Sequence, residues 1–142
     1  MLANAIKEVE KQNTSVALVA ADGRIFTDNG KSVRPLHRLF LQHRSEFAGG
    51  FVADRVIGKA AASILVAGGV KEAFGFLMSE AGLNYLEAHG IKASYATLTP
   101  HILNRTETDL CPMEKTVKDL DDPEECVAAI TDFIDRTPYP FG

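Results

Sequence analysis

The sequence has 142 residues, 46% of them apolar, so it can bury one hydrophobic core but not two, and a single domain spanning residues 1–142 is expected. Its 15 basic and 19 acidic residues give a net charge of -4, which argues against non-specific binding to nucleic acid or to an acidic membrane. Two cysteines are too few for a disulfide scaffold, and no segment approaches the ~20 apolar residues that cross a bilayer, so a cytoplasmic protein is expected.

The first predicted elements are a helix, a hairpin and a second helix. Apolar residues at helical spacing predict a short amphipathic helix over Ala3–Gln12. A buried strand at Ser15–Ala20, a tight turn and a partner at Ile25–Thr27 predict a β-hairpin. Pro35 favours the first turn of a helix, and the apolar residues after it predict a helix that lies on the sheet.

The second half of the chain alternates between strands and helices. Strands are predicted at Val70–Met78 and Ile91–Leu98, with a helix at Glu80–His89 between them and a last helix that opens at Asp121–Glu125. Together with a helix predicted over Ala53–Ala67, this order predicts an α/β fold, a three-layer α/β/α sandwich whose central sheet is mixed.

The predicted helix over Ala53–Ala67 is the most informative segment. Gly49 and Gly50 break the preceding helix, and most of the circumference of the new one is apolar or small, which indicates a central position in the core. Asp54 then falls near the start of a buried helix, where the dipole favours an ionised carboxylate. Two interpretations stay open, since an aspartate at a helix start is either a structural cap or a functional group.

This segment resembles the helix of the cytidine deaminase superfamily, in which a zinc ligand, an alanine and a catalytic glutamate are consecutive. Val52 stands at the ligand position, Ala53 at the alanine and Asp54 at the glutamate. The family's second motif, P-C-x-x-C, would fall near Ser79–Leu83, which contains no cysteine. The resemblance implies a cytidine deaminase-like fold without the zinc ligands, so no metal site is expected and zinc-dependent deamination is disfavoured.

A closer resemblance covers most of residues 15 to 118. It is to a small family of uncharacterised prokaryotic proteins, a domain of unknown function with the same deaminase-like fold. The matching segments are Val33–Leu36, Val52–Ala61, Gly68–Glu72 and Cys111–Lys115. This resemblance implies the fold and leaves the function open, because one scaffold can carry unrelated sites.

Cys111 is a second candidate catalytic group. Pro112 follows it and predicts a helix start, where the dipole would favour a thiolate nucleophile. No histidine or aspartate lies at a spacing that identifies its base, so capping or packing remains the alternative. Cys126 falls on the apolar face of the last helix and is predicted to be structural.

Candidate ligand-binding residues surround the central helix. Arg55 and Lys59 lie one turn apart and are candidates to neutralise a phosphate, with a solvated face or a subunit contact as the alternative. Their predicted companions are two glycines whose amides approach a phosphate and two polar loop residues: Gly49, Gly50, Asn104 and Arg105.

These observations favour a zinc-free protein that binds a nucleotide or a related phosphorylated small molecule, with Asp54 as its central polar group and no cofactor. Whether it is an enzyme stays open. In an enzyme, Asp54 would be a general base or nucleophile. The alternatives are a cysteine-dependent enzyme that uses Cys111, and a non-catalytic homo-oligomeric module in which the Thr137–Gly142 tail packs against a neighbouring subunit.

Overall fold

The computed structural model describes residues 1–11, 13–104 and 106–137, which form a mixture of helices and strands. The elements in these ranges are α1 (Leu2–Glu10), β1 (Val16–Val19), β2 (Ile25–Asp28), α2 (Arg34–Phe47), β3 (Phe51–Ile57), α3 (Lys59–Gly68), β4 (Glu72–Ser79), α4 (Glu80–Ala88), β5 (Lys92–Thr99), α5 (Pro112–Val117) and α6 (Pro123–Arg136). None of the helices in these ranges has both the length and the apolar character needed to span a bilayer.

The strands form one open, mixed sheet in the order β2-β1-β3-β4-β5. β1 pairs antiparallel with both β2 and β3, whereas β3, β4 and β5 are parallel to one another. The predicted mixed sheet and the β1–β2 hairpin are therefore confirmed. β3 lies at the centre of the sheet, with Val16 of β1 and Gly75 of β4 on either side of Asp54.

Helices pack on both faces of this sheet, and they do so unequally. The larger core joins α2, α3, α4, α5 and α6 to one face, where Leu18, Val52 and Met78 are fully buried. The smaller core lies under α1, whose Val9 packs near Ala53 on the opposite face. Asp54 alternates with Ala53 along β3 and so projects toward the side of the larger core.

The helix predicted over Ala53–Ala67 is wrong in its first part. Residues Phe51–Ile57 form β3, Gly58 ends the strand, and only Lys59–Gly68 is helical. The segment contains enough apolar residues to match the apolar face of an amphipathic helix. Periodicity alone does not distinguish a helix from a strand in a short buried apolar run. Asp54 therefore lies in the central strand and not at a helix start.

The other predicted elements are present with shifts of a few residues at their ends. β4 begins at Glu72 instead of Val70, and α6 begins at Pro123 after an N-cap by Asp122, whose carboxylate accepts the Glu125 N–H at 3.0 Å. The tail prediction concerns residues that lie, apart from Thr137, outside the described ranges.

Candidate functional site

A cavity of about 390 Å³ opens at the carboxyl end of β3. This volume falls in the range of small-molecule sites, and the carboxyl ends of strands are where open α/β sheets bind ligands. Its walls come from β3, the start of α3, the loop before α2 and the segment around α5. The lining residues are Ser15, Gly30, Lys31, Ser32, Val33, Asp54, Arg55, Val56, Gly58, Ala60, Ala61, Ile102, Leu103, Cys111, Met113 and Glu114.

Asp54 contributes a buried carboxyl group to this cavity. Its side chain forms no hydrogen bond or ion pair with another side chain in the described part of the chain, and the residue is only 7% exposed. Burial raises the pKa of Asp54 to about 8, although the backbone N–H groups of Val56 and Arg55 and the Arg55 charge favour the ionised form. At neutral pH the group is therefore mostly protonated, and it can both donate and accept a hydrogen bond.

Glu114 is a second buried carboxyl group in the cavity wall, and it has a structural role. Its Oε1 accepts the Lys59 N–H at 2.8 Å and its Oε2 accepts the Ala60 N–H at 2.9 Å. The N-cap residue of α3 is Gly58, which has no side chain to cap the helix. Glu114 thus caps α3 from α5, and burial raises its pKa against the effect of these two donors.

Two glycines allow the elements around this helix start to approach each other. A Cβ atom at Gly58 would collide with the Glu114 carboxylate. A Cβ atom at Gly82 in α4 would lie 3.0 Å from both the Gly58 carbonyl carbon and the Ile57 oxygen. The junction of β3 and α3 is therefore packed tightly between α4 and α5.

The two predicted phosphate ligands are engaged with backbone carbonyls. Arg55 donates from Nε to the Thr14 oxygen at 2.9 Å and from Nη2 to the Val9 oxygen at 2.7 Å, on the α1 side of the sheet. Lys59 donates from Nζ to the carbonyl oxygens of Lys118 and Leu120, next to the Tyr85 ring. Both cations hold the ends of helices in place.

The loop before α2 lines the cavity and was not among the predicted site residues. Ser15 anchors this loop, since its Oγ donates to the Gly30 oxygen at 2.9 Å and accepts the Gly30 N–H at 3.1 Å. Lys31 and Ser32 follow at the rim and are exposed. The sequence signal for these residues is Gly30-Lys31-Ser32, shortly before a helix. It resembles the end of the phosphate-binding motif G-x-x-x-x-G-K-[ST], but Ile25 replaces the first glycine of that motif.

Cys111 lies in the same cavity as Asp54. It is the N-cap residue of α5, 8% exposed, and it makes no side-chain cap hydrogen bond. Cys126 is fully buried in the larger core, where burial raises its thiol pKa. The structure thus brings together the two predicted catalytic residues, and both cysteines are free thiols.

Of the remaining predicted ligand residues, Gly49, Gly50 and Asn104 do not line this cavity. Gly49 and Gly50 connect α2 to the amino end of β3, and Gly50 lies four residues, or roughly 13 Å of strand, before Asp54, the first cavity-lining residue of that strand. Asn104 stabilises its own loop, in which its Oδ1 accepts hydrogen bonds from the Thr106 hydroxyl and the Thr108 N–H. Arg105 lies outside the described residues.

Comparison with known proteins identifies the family. The model of the family described as "TM1506: Domain of unknown function (DUF1893)" matches residues 4–134. The chain belongs to the DUF1893 family. A crystal structure of a DUF1893 family protein (TM1506) from Thermotoga maritima has a TM-score of 0.83 and 28% sequence identity, and the match covers 93% of this chain and 88% of that one. No curated protein matches the sequence.

DUF1893 membership agrees with the predicted resemblance to a family of unknown function. The matched family model and this crystal structure carry no cytidine deaminase classification, so the classification as cytidine deaminase-like stays a prediction. The residues of this DUF1893 chain do not fit a deaminase zinc site, since Val52 is buried in the core and Leu83 has no metal-binding atom. Within residues 1–11, 13–104 and 106–137, no three His, Cys, Asp or Glu side chains are grouped to hold a metal ion.

Proposed function

We propose that this protein binds a nucleotide or a related phosphorylated small molecule in the cavity at the carboxyl end of β3. The observation that carries the proposal is the Asp54 carboxyl group, which is buried, lines a cavity of ligand size and has no side-chain partner in the described part of the chain. The backbone N–H groups of Val56 and Arg55 reach this carboxyl group, but the O–H of its protonated form has no acceptor among the described residues, and a ligand or water in the cavity would supply one.

The chemistry of Asp54 favours recognition of a donor–acceptor edge. A protonated carboxyl group presents one O–H donor and one carbonyl acceptor side by side. Nucleobases offer the complementary pair on their Watson–Crick edges. Two buried carboxyl groups, Asp54 and Glu114, line the inner wall, and the nearby cations Arg55 and Lys59 are engaged elsewhere. The inner end of the cavity therefore suits the base or another uncharged group, and the phosphate faces outward.

A thermal-shift titration with nucleosides and nucleotides tests this proposal. Wild-type protein is expected to gain stability with at least one ligand, because binding to the native state alone raises the unfolding temperature. Asp54→Ala should lose this shift. Asp119→Asn is a matched control, since Asp119 is exposed on the loop after α5 and does not line the cavity. A panel without any shift in the wild type would overturn the proposal.

A second candidate function is self-association. We propose that the homo-oligomer predicted from the sequence forms through β5. β5 is an eight-residue edge strand without proline, and its single charged residue, Lys92, lies at its start. Tyr95 and Leu98 are 42% and 37% exposed. The other edge is better protected, because β2 has four residues and its Asp28 is paired with Arg38 at 2.8 Å.

The occupant proposed for this edge is β5 of a second copy, paired antiparallel, because its single charged residue, Lys92, then faces the far end of the partner strand and no like charges meet. Sedimentation analysis of wild type, Tyr95→Lys and Ile25→Lys tests it. A dimer is expected for the wild type and for Ile25→Lys on the β2 edge, where Ile25 is 45% exposed. Tyr95→Lys should be monomeric. A monomeric wild type at all concentrations would contradict this candidate.

A further inference from the structure

Three consecutive backbone N–H groups at the rim of the cavity have no acceptor among the described residues. These are the N–H groups of Lys31, Ser32 and Val33, none of which donates to a residue in the described part of the chain. The Lys31 ammonium and the Ser32 hydroxyl likewise form no hydrogen bond or ion pair with the described residues. Five donors are therefore available within three residues.

The backbone conformation turns the N–H groups of Ser32 and Val33 toward the same side. Ser32 has φ +61°, in the left-handed region, and Val33 follows with φ -84° and ψ -3°, in the right-handed region. Successive residues of opposite hand form a concave nest of N–H groups that binds anions. Ser15 holds the preceding Gly30 by two hydrogen bonds, so the loop is fixed without a ligand.

The helix that follows adds to the positive potential. α2 has 14 residues, no side-chain cap at its N-cap residue Val33 and no acidic residue in its first turn. The positive end of its dipole is therefore not neutralised by its own first turn. The start of α3 offers no such site, because Glu114 already occupies it.

An independent observation indicates that a ligand enters the same cavity. Asp54 is more than nine-tenths buried, has no side-chain partner among the described residues and is directed into the space that Lys31, Ser32 and Val33 border. Only the backbone N–H groups of Val56 and Arg55, in its own strand, favour its ionised form, and the rest of the carboxyl group faces the cavity, where a ligand or water completes its hydrogen bonds. The cavity thus has an uncharged inner group and an outer cluster of donors.

We infer that Lys31, Ser32 and Val33, at the N-terminus of α2, form the phosphate subsite for a nucleoside monophosphate whose base is held by Asp54. This inference rests on the proposed function. The proposed function left the phosphate-binding residues open, and the inference names them. Arg55 and Lys59, the cations suggested by the sequence, hold backbone carbonyls and do not serve this subsite.

Calorimetric titration of four matched pairs tests the subsite: adenosine and AMP, guanosine and GMP, cytidine and CMP, uridine and UMP. At least one monophosphate should bind about tenfold or more tightly than its nucleoside, since charge-assisted hydrogen bonds to phosphate add to the affinity. Lys31→Ala should reduce this ratio several-fold, and Lys31→Arg should largely restore it. Lys92→Ala, an exposed lysine at the start of β5, is the control and should leave it unchanged.

The outcomes separate this inference from the function on which it rests. Equal affinities for a nucleoside and its monophosphate, or monophosphate binding that Lys31→Ala leaves intact, would overturn the subsite while the proposed cavity ligand stands. Binding of inorganic phosphate alone, lost in Lys31→Ala, would support the subsite and contradict the nucleotide proposal. An absence of binding for all eight compounds and for inorganic phosphate would overturn both.

A second pair of variants tests the backbone nest itself. Ser32→Gly keeps the left-handed conformation at no steric cost, whereas Ser32→Val places a β-branched residue at φ +61°, which is strongly disfavoured. Ser32→Gly should retain most of the monophosphate preference and Ser32→Val should lose it, with both variants folded by circular dichroism. Loss in both variants to the same extent would show that the hydroxyl, and not the nest, binds the phosphate.

Discussion

The carboxylate of Glu114 occupies the space that any side chain at position 58 would need. The same carboxylate accepts the N–H groups of Lys59 and Ala60, the first two residues of α3. Gly58 and Glu114 therefore depend on each other, since the glycine leaves the room and the glutamate supplies the helix cap that the glycine lacks. This relationship fixes α5 to α3 at the wall of the cavity.

Replacement of Glu114 with alanine is expected to destabilise the fold by about 1–3 kcal/mol, because two buried N–H groups at the start of α3 lose their acceptor. The free energy of unfolding in urea measures this effect. Glu87→Ala removes an exposed glutamate from α4 and should change stability much less. Equal effects of the two substitutions would show that the cap contributes nothing.

Gly58→Ala is expected to cost about 1–3 kcal/mol in the wild type and clearly less in the Glu114→Ala background. The added methyl group displaces the carboxylate, so its penalty depends on the carboxylate being present. A double-mutant cycle of the two substitutions, measured by urea unfolding, gives the coupling free energy. Strictly additive effects would contradict the mutual dependence.

As the pH rises, the free energy of unfolding of the wild type is expected to fall relative to that of the Asp54→Asn variant. The folded pKa, about 8, lies above the ordinary value of 3.8, so the native state holds a proton that the unfolded chain has released. The contribution is fully present below the unfolded pKa and is lost as the pH rises through the folded one. Urea unfolding of both proteins between pH 5 and pH 8 should show a difference of up to about 1.4 kcal/mol per pH unit. Parallel curves would exclude the raised pKa.

Arg55→Ala is expected to reduce stability by about 1–3 kcal/mol and to leave ligand affinity within about twofold. The guanidinium group joins the Val9 carbonyl in the last turn of α1 to the Thr14 carbonyl after it, on the opposite face of the sheet from Asp54. Thermal unfolding and calorimetric titration measure the two effects separately. A large loss of nucleotide affinity would instead support the phosphate role predicted from the sequence.

Cys111 is expected to react with iodoacetamide faster than Cys126 in the folded protein. Cys111 is 8% exposed and lines the cavity, whereas Cys126 is fully buried and its raised thiol pKa disfavours the reactive thiolate. Mass spectrometry of timed samples gives both rates, with Cys111→Ser as the control for site assignment. A bound ligand should slow the labelling of Cys111. Faster labelling of Cys126 would contradict the placement of Cys111 at the cavity.

The sequence predicted most of the elements and the mixed sheet correctly, because local patterns carried those signals. Alternating or apolar runs next to turn residues indicated β1, β2 and β5, and Asp122 before Pro123 marked the start of α6. The error at β3 has a physical origin. The strand is shielded by helices on both faces of the sheet, so its apolar run continues into that of α3 and only Gly58 separates them.

The candidate site was predicted in part. Asp54 was identified by its match to the catalytic glutamate of the deaminase helix and Cys111 by the proline that follows it, and both line one cavity. The role of Glu114 depends on a contact between residues 55 positions apart, which no local pattern records. Arg55 and Lys59 were expected to be one helical turn apart, but one lies in β3 and the other in α3, and backbone carbonyls distant in sequence engage both.

The position of Asp54 in the central strand also links ligand recognition to proton exchange with solvent. Since the carboxyl group holds its proton near neutral pH, a ligand that hydrogen-bonds to the acid form binds without a net change in bound protons. A cationic amine would bind only after that proton has left, and its affinity would increase in alkaline solution. This one strand residue therefore favours uncharged groups over cations at the inner end of the cavity, before any contact with the rest of the ligand is considered.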